Sequence, residues 1–242
     1  MFVIQHDHID GNFTTRDAYN DIYSGEGILH RDSLYLWIIN LLEPQMGKTL
    51  LDIACGEGRL VTLAQQKGLI ALGTDFAMEG ILIGHEESPS SGWFTGDGES
   101  LPLQNHTVDY VTHVGSLEHY LDPVQGAKEI ARILKPGGKA CILLPNAFGL
   151  FGNISYAMNH GDIFDDGQPL QRYGTRKAWE RILALAGLKV QSVLGYSEVP
   201  YPLTAKDRIW CLKHPRKIIR YFVSMLVPVN LSNHFVFLCT RS

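Results

Sequence analysis

LLDIACGEGRL, residues 50–60, is the stretch that decides the fold of this chain. The apolar run at 49–54 is typical of a short buried strand. Gly56 and Gly58 follow it, and a helical pattern then covers 59–67. Glycine at such a bend lets a ligand approach the backbone closely, and the first N–H groups of the following helix point to the same place. The stretch therefore predicts a strand–bend–helix unit with a ligand site at the bend.

Apolar runs and helical patterns alternate on both sides of this unit. Such alternation predicts an α/β fold of the doubly wound type, with a mainly parallel sheet covered by helices on both faces. Ligands of such sheets bind beyond the carboxyl ends of the strands. The predicted strands are 49–54, 69–74, 92–95, 108–114, 139–144, 188–194 and 235–239, and the predicted helices are 30–42, 59–67, 76–83, 122–134 and 173–186.

The chain divides into three parts by pattern. We expect an N-terminal cap with the first helix at 1–45, a cofactor-binding core at 46–194, and a covering insertion with the final strand of the same domain at 195–242. Residues 1–28 are polar with scattered aromatic side chains, and we expect a short cap segment there rather than a domain. The prolines within 195–233 break any simple alternation.

The composition limits the class of protein. The 242 residues are 45% hydrophobic and 19% charged, which is enough apolar material for a packed core. A net charge of −4 gives no electrostatic reason to expect nucleic-acid binding. The sequence shows no signal peptide and no apolar run long enough to span a membrane. The four cysteines form no CxxC or zinc-like spacing, so we expect a reducing cytoplasm and no metal site.

Two further acidic residues stand at expected strand ends. Asp75 follows the strand 69–74, where a carboxylate accepts hydrogen bonds from the hydroxyls of a ribose. The alternative is that Asp75 only caps the next helix. Asp97-Gly98 follows the strand 92–95, where an acidic side chain accepts from an adenine amino group or simply forms a turn. Val61 replaces the third glycine of a dinucleotide fingerprint, which disfavours a pyrophosphate ligand.

In order, the segments LLDIACGEG, LGTDFA, GDGESLPL, DYVTHVGSLEHYLDP and ARILKPGGKACILLP, within 49–145, resemble the class I (Rossmann-like) S-adenosylmethionine-dependent methyltransferase family, closely its small-molecule branch. This resemblance implies a seven-stranded sheet whose last strand, 235–239, runs antiparallel after an insertion. It implies S-adenosylmethionine as the cofactor and S-adenosylhomocysteine as the product.

The resemblance also implies cofactor contacts at successive strand ends. Asp52, Ala54 and Gly56 are expected at the methionine moiety, Gly58 lets the loop close, Asp75 holds the ribose, Phe76 packs on the adenine, Asp97 and Gly98 bind the adenine edge, and Val114 and Ser116 line the crevice near the sulfonium.

A general base assists methyl transfer when the acceptor is a hydroxyl or an ammonium group. His119 is our first candidate, because the resemblance puts the Glu118-His119 pair near the reactive end of the cofactor. The alternative is that His119 only closes the pocket. His113, Glu118 and His160 are the other candidates, although a histidine inside a strand, like His113, is more often part of the core.

The acceptor is expected to be a small molecule of sugar, lipid-linked or natural-product type, methylated on O or N. Candidate acceptor residues are Tyr19, Tyr23, His160, Arg172 and Tyr173, of which the last two could instead tie the loop to the sheet. The apolar-basic segment 213–226 fits a membrane surface, a lipid-like acceptor, a helix packed on the domain or a dimer contact. Monomer and homodimer both stay open.

Three other functions compete with this prediction. A catalytically silent cofactor-binding subunit is disfavoured by the intact acidic residues Asp52, Asp75 and Asp97. A nicotinamide oxidoreductase is disfavoured by Val61 and by the Asp97-Gly98 turn. Nucleic-acid methylation is disfavoured because the chain has neither a basic face nor an Asn/Asp-Pro-Pro-aromatic quartet after the strand 108–114.

Overall fold

The computed structural model describes residues 1–6, 20, 23, 30–197, 204–214, 222–224 and 226–241. The strands are β1 (Phe2–Gln5), β2 (Thr49–Ile53), β3 (Ile70–Asp75), β4 (Gly92–Thr95), β5 (Val108–Val114), β6 (Leu134–Pro145), β7 (Leu170–Tyr173), β8 (Leu188–Tyr196) and β9 (His234–Arg241). The helices are α1 (Asp32–Leu41), α2 (Arg59–Gln66), α3 (Met78–Glu87), α4 (Pro123–Ile133), α5 (Ser155–His160), α6 (Arg176–Leu185) and α7 (Ala205–Lys213).

Seven strands form the central sheet in the order β4-β3-β2-β5-β6-β9-β8. The pairs β2–β3, β2–β5, β3–β4 and β5–β6 are parallel. The final strand β9 lies between β6 and β8 and runs antiparallel to both. The predicted doubly wound, mostly parallel sheet with an antiparallel last strand is confirmed.

Two hydrophobic clusters cover the two faces of this sheet. Side chains of a strand point alternately to opposite faces, and β2 shows this directly: Leu50 belongs to the cluster under α1 and α2, and Leu51 to the cluster under α4 and α6. Trp179 of α6 is fully buried and donates its indole N–H to the carbonyl of Pro145 at 2.9 Å. The core therefore holds the carboxyl ends of the central strands rigidly side by side.

Three helices begin at side-chain caps, one of them α7, where Thr204 accepts from the N–H of Asp207 at 3.1 Å. Asp122 accepts hydrogen bonds from the N–H groups of Val124 and Gln125, at 2.9 and 3.1 Å, as the Asp-Pro pair predicted for α4. Thr175 caps α6 by accepting from Ala178 at 3.3 Å. The prediction of a helix from residue 173 was therefore wrong at its start, because Tyr173 is the last residue of β7 and the helix begins only after its cap at Thr175.

The N-terminal segment contributes a strand that the sequence analysis did not predict. β1 pairs antiparallel with β7, with Phe2 opposite Tyr173 and Gln5 opposite Leu170. The two strands are far apart in sequence, and the local residue pattern of either one shows no partner. The sequence analysis predicted a cap segment at 1–28 and did not identify this strand at residues 2–5.

The insertion before β9 contains α7 and a short 3₁₀ turn at Val229–Leu231. Most of the predicted apolar-basic segment 213–226 lies outside the described residues. Within the described part of the chain, no helix combines the length and the apolar character needed to cross a bilayer. The division into 1–45, 46–194 and 195–242 stays a prediction.

Candidate functional site

The glycine bend joins β2 to α2 in left-handed backbone geometry. Ala54, Gly56 and Gly58 have φ values of 54°, 52° and 71°. Only Gly adopts such angles without steric cost, so Ala54 is a strained position in this bend. The N–H of Cys55 donates to the carbonyl of Thr74 at 3.0 Å, which fixes the bend against the end of β3.

Close packing explains why two residues near this bend are glycine. A Cβ atom at Gly58 would clash with the indole ring of Trp93, which lies across the bend from β4. A Cβ atom at Gly80 of α3 would lie 2.8 Å from the carbonyl oxygen of Gly56. The bend is thus held between α3 on one side and Trp93 on the other.

Asp75 connects the ends of three strands. Its carboxylate accepts from the N–H of Gly56 at 2.8 Å and from that of Ala77 at 2.9 Å, and its backbone carbonyl accepts from Gly96 at 2.9 Å. The side chain is buried, and burial raises its pKa against the opposing effect of these N–H donors. Each carboxylate oxygen keeps a second acceptor position for a ligand hydroxyl. Phe76, the next residue, is half-buried.

Asp52 lies beside Asp75 at the end of β2. Burial raises the pKa of Asp52 to about 7, with a further increase from the negative charge of Asp75, while the hydroxyl of Thr112 opposes both by donating to the carboxylate at 2.7 Å. Within the described ranges, neither aspartate forms an ion pair with Lys or Arg. Two adjacent buried carboxyl groups without a cation suit a positively charged ligand.

The two residues that the sequence predicts at the adenine edge, Asp97 and Gly98, follow the end of β4. Asp97 is exposed and accepts from the N–H of Glu99 at 2.8 Å, whereas Gly98 is buried under the ring of Tyr120, with which a Cβ atom would clash. The Tyr120 hydroxyl is hydrogen-bonded to Nε2 of His113 at 3.0 Å. Burial lowers the pKa of His113 to about 3, so this histidine is neutral and holds Tyr120 in place.

The end of β5 carries the remaining crevice residues. Val114 and Ser116 are half-buried on either side of Gly115, whose φ of +66° turns the chain. Glu118 follows in a 3₁₀ turn at Leu117–His119, and its Oε1 atom would lie 3.8 Å from a Cβ atom at Gly115. Glu118 is therefore close to the end of β5.

Glu118 and His119 form a buried pair. Nε2 of His119 lies 3.9 Å from Oε1 of Glu118, and Nδ1 donates to the carbonyl of Leu170 at 2.5 Å. Burial lowers the pKa of His119 and raises that of Glu118 to about 8. The Oε2 atom of Glu118 has no hydrogen-bond partner among the described residues. A neutral His119 with its proton on Nδ1 leaves the lone pair of Nε2 available as a base.

The candidate acceptor residues do not form one cluster. Tyr23 places its ring 3.0 Å from the Cβ position of Gly56, at the glycine bend. His160 is exposed at the end of α5, with its ring 4.3 Å from that of Tyr156. Tyr19 lies outside the described residues.

Strand β7 places Arg172 and Tyr173 beside the Glu118 turn. Arg172 donates to the carbonyls of Glu118, Tyr120 and Leu121, so it ties β7 to this turn as the alternative interpretation expected. Tyr173 is buried, and burial raises its pKa to about 12. The strand therefore supports the position of His119 from two sides, through Leu170 and Arg172.

Thr112, Trp93 and Tyr120 belong to this site and were not singled out from the sequence. Thr112 reaches Asp52 because the two residues are register partners in adjacent strands. Trp93 and Tyr120 are assigned to the site because their rings lie against Gly58 and Gly98. For Trp93 and Tyr120, the one sequence signal was a large aromatic residue near a strand end. Many core residues show the same signal.

Part of the chain is similar in sequence to known proteins. Residues 51–142 match a family model described as a methyltransferase domain. The chain is 32% identical over 102 residues to a demethylmenaquinone methyltransferase of Corynebacterium kroppenstedtii, covering 42% of this chain and 43% of that protein. It is 33% identical over 112 residues to a 2-phytyl-1,4-naphtoquinone methyltransferase of Thermosynechococcus vestitus, covering 43% and 49%. The matches thus span less than half of these relatives.

A solved structure extends the similarity to nearly the whole fold. An S-adenosylmethionine dependent methyltransferase from Mesorhizobium loti superposes with a TM-score of 0.64 at 13% identity, covering 90% of this chain and all of that one. The strand order and this superposition define a class I, Rossmann-like methyltransferase fold. The family model itself matches residues 51–142, so this part of the chain is similar to a methyltransferase domain, and the fold as a whole is similar to that of the solved methyltransferase.

Proposed function

We propose that this protein transfers a methyl group from S-adenosylmethionine to a small-molecule acceptor. The observation that carries the proposal is the position of Asp75, which bonds the glycine bend through Gly56 and the end of β4 through Gly96. One buried carboxylate therefore lies where three strand ends meet, in the crevice that binds ligands in parallel sheets. The names of the relatives support the same reaction class.

The residues present fit this cofactor. The buried pair Asp52 and Asp75 forms no ion pair with Lys or Arg in the part of the chain that the structure describes, and its negative charge suits the sulfonium and ammonium groups of S-adenosylmethionine. Gly56, under the ring of Tyr23, is proposed at the methionine moiety, and Asp75 is proposed to accept from the ribose. We also propose the cofactor contacts that the sequence predicts for Ala54, Gly58, Phe76, Asp97, Gly98, Val114 and Ser116. When bound, the cofactor supplies a methyl group made electrophilic by the sulfonium.

The test is the affinity for S-adenosylmethionine and S-adenosylhomocysteine, measured by calorimetry. Asp75→Ala is expected to weaken both by more than about tenfold, because a charge-assisted hydrogen bond to the ribose is lost. Asp162→Ala, an exposed aspartate of the α5–β7 loop, is the matched control and is expected to leave affinity unchanged. An unchanged affinity of Asp75→Ala would contradict the ribose assignment, and no binding to the unmodified protein would contradict the proposed function.

His119 is proposed as the general base. The carbonyl of Leu170 fixes its Nδ1–H tautomer, and Glu118 lies at 3.9 Å on the Nε2 side, close to the end of β5. Nε2 of His119 would receive a proton from a hydroxyl or ammonium acceptor, and the adjacent Glu118 carboxyl would stabilise the imidazolium that results.

Removal of this base is expected to slow methyl transfer by roughly 10²–10⁴-fold in His119→Asn. The measurement is incorporation of labelled methyl groups from S-adenosylmethionine into a metabolite extract. His106→Asn serves as control because His106 is exposed in the loop that leads into the amino end of β5, at the opposite end of that strand from the Glu118 turn. Full activity of His119→Asn, with unchanged cofactor affinity, would show that His119 only closes the pocket.

The acceptor is proposed to be a lipid-like or aromatic small molecule. The two relatives are named for quinone substrates, which supports this class above sugars. Transfer to O or N and a cytoplasmic location stay predictions from the sequence. A labelled product in the extract would also exclude the silent-subunit alternative.

A further inference from the structure

Helix α7 presents an apolar stripe to solvent. With about 100° per residue, Ala205, Ile209 and Leu212 lie within about 60° of one another on the helix. Ile209 and Leu212 are 54% and 78% exposed. The surface helix of a globular protein normally turns such a stripe toward the core. The orientation of α7 is reversed, so Ile209 and Leu212 face mainly outward.

The opposite face of α7 fixes this orientation. Asp207 is buried, and its carboxylate pairs with the guanidinium of Arg31 at 3.6 Å. The same guanidinium lies over the ring of Trp210, 3.9 Å from its centroid. These two side chains turn Asp207 and Trp210 toward the body of the molecule, which leaves Ile209 and Leu212 outward.

The charged side chains of α7 that flank the stripe are all positive. Lys206 and Lys213 are exposed on one side of it and Arg208 on the other, and the only acidic residue of the helix is the buried Asp207. This excess occurs in a chain whose net charge is −4. An apolar stripe flanked by cations fits the boundary of an anionic bilayer, where apolar side chains enter the acyl region and lysines meet lipid phosphates.

The position of α7 relates this surface to the crevice. Arg31, which holds α7, directly precedes Asp32, the first residue of α1. The carboxylate of Asp32 accepts two hydrogen bonds of 2.7 Å from Arg59, the first residue after the glycine bend. The helix therefore lies beside the mouth of the crevice and not at the amino ends of the strands.

We propose that α7 docks this protein on an anionic membrane surface, with the crevice beside the bilayer. Ile209 and Leu212 insert among the lipids, and Lys206 and Lys213 bind their phosphate groups. The proposal is independent of methyl transfer, since it concerns a surface outside the proposed cofactor and acceptor residues.

The experiment is co-sedimentation with vesicles of phosphatidylcholine alone and of phosphatidylcholine mixed with phosphatidylglycerol. We expect binding to the mixed vesicles only, and weaker binding at high salt because surface charges are screened. Lys206→Gln with Lys213→Gln is expected to lower the partition coefficient by at least about tenfold. Ile209→Gln with Leu212→Gln is expected to lower it similarly.

Helix α6 supplies matched controls. Leu185 is 65% exposed and Lys177 is exposed, so Leu185→Gln and Lys177→Gln repeat the same changes on another helix. They are expected to bind vesicles normally. Affinity for S-adenosylhomocysteine or, failing that, the thermal unfolding curve shows that each variant remains folded.

Three outcomes would overturn the proposal. These are no binding to either vesicle, equal binding to both, or unchanged binding of the α7 variants. Sedimentation velocity tests a second copy of the chain as the alternative occupant. A concentration-dependent dimer that Leu212→Gln abolishes would assign the stripe to self-association and contradict membrane docking.

Discussion

At the residue scale, the ionisation of the buried Asp52 side chain is expected to be linked to the binding of a cationic ligand. Its carboxyl group lies beside Asp75 and accepts from the hydroxyl of Thr112, and burial raises its pKa to about 7. A cationic ligand in the crevice would stabilise the ionised form. Binding of such a ligand is therefore linked to release of the Asp52 proton.

The consequence is a pH-dependent affinity for S-adenosylmethionine. Below about pH 7 the ligand must displace a proton from Asp52, so calorimetry is expected to show affinity falling by up to about tenfold as the pH drops from 7 to 6. Above this pKa, the contribution of Asp52 to affinity becomes constant. Asp52→Asn should bind more weakly at pH 8 and lose this dependence on pH. The same slope in Asp52→Asn would show that another group titrates.

At the scale of elements, the glycine bend depends on the approach of α3. Gly80 contacts the carbonyl of Gly56 so closely that even a methyl group has no space, and Trp93 fills the other side of the bend. The positive φ of Ala54 is unfavourable, so the bend relies on these neighbours in addition to its own hydrogen bond from the N–H of Gly58 to the carbonyl of Cys55. The packing of α3 and β4 therefore determines the shape of the glycine bend.

Gly80→Ala tests this dependence because two effects have opposite sign. Helix propensity alone predicts stabilisation by about 1 kcal/mol. The steric conflict with Gly56 is expected to outweigh it, giving a net loss of about 1–3 kcal/mol in urea denaturation and weaker binding of S-adenosylhomocysteine. Glu79→Ala, at the exposed neighbouring position of α3, should change stability by only a few tenths of a kcal/mol. A stabilised Gly80→Ala protein would contradict the proposed contact.

At the scale of the whole molecule, the site adds buried carboxyl groups to the fold. Burial raises the pKa of Glu118 to about 8 and that of Asp52 to about 7, so the folded chain keeps protons that the unfolded chain has lost. Stability from these groups is fully present below the unfolded pKa and declines as the pH rises toward the folded pKa. Burial lowers the pKa of His113 and His119, which reduces stability only below about pH 6.5.

Between pH 7 and 8, the ligand-free protein is therefore expected to lose stability. Both histidines are essentially neutral there in either state, and Glu118 changes the free energy of unfolding by up to about 1 kcal/mol across this interval. Urea denaturation at the two pH values measures the change, and Glu118→Gln should remove most of it. Stability that rises from pH 7 to 8 would show that Glu118 is ionised in the folded protein.

The sequence patterns by themselves determined the doubly wound sheet and the positions of Asp52, Asp75 and the glycine bend, while the antiparallel last strand followed from the family resemblance. Strand patterns, caps and glycine bends are local signals, so a continuous stretch such as 50–60 contains them completely. Parallel strand ends meet at one edge of a sheet, which made the meeting of these residues predictable.

Only the tertiary structure decided the pairing of β1 with β7, the contacts of Thr112, Trp93 and Tyr120, and the outward face of α7. Each of these depends on register or packing between segments far apart in the chain, and a local pattern does not contain that information. Arg172 illustrates the difference: its charge is visible in the sequence, but its bonds to three carbonyls beside His119 exist only in the folded molecule.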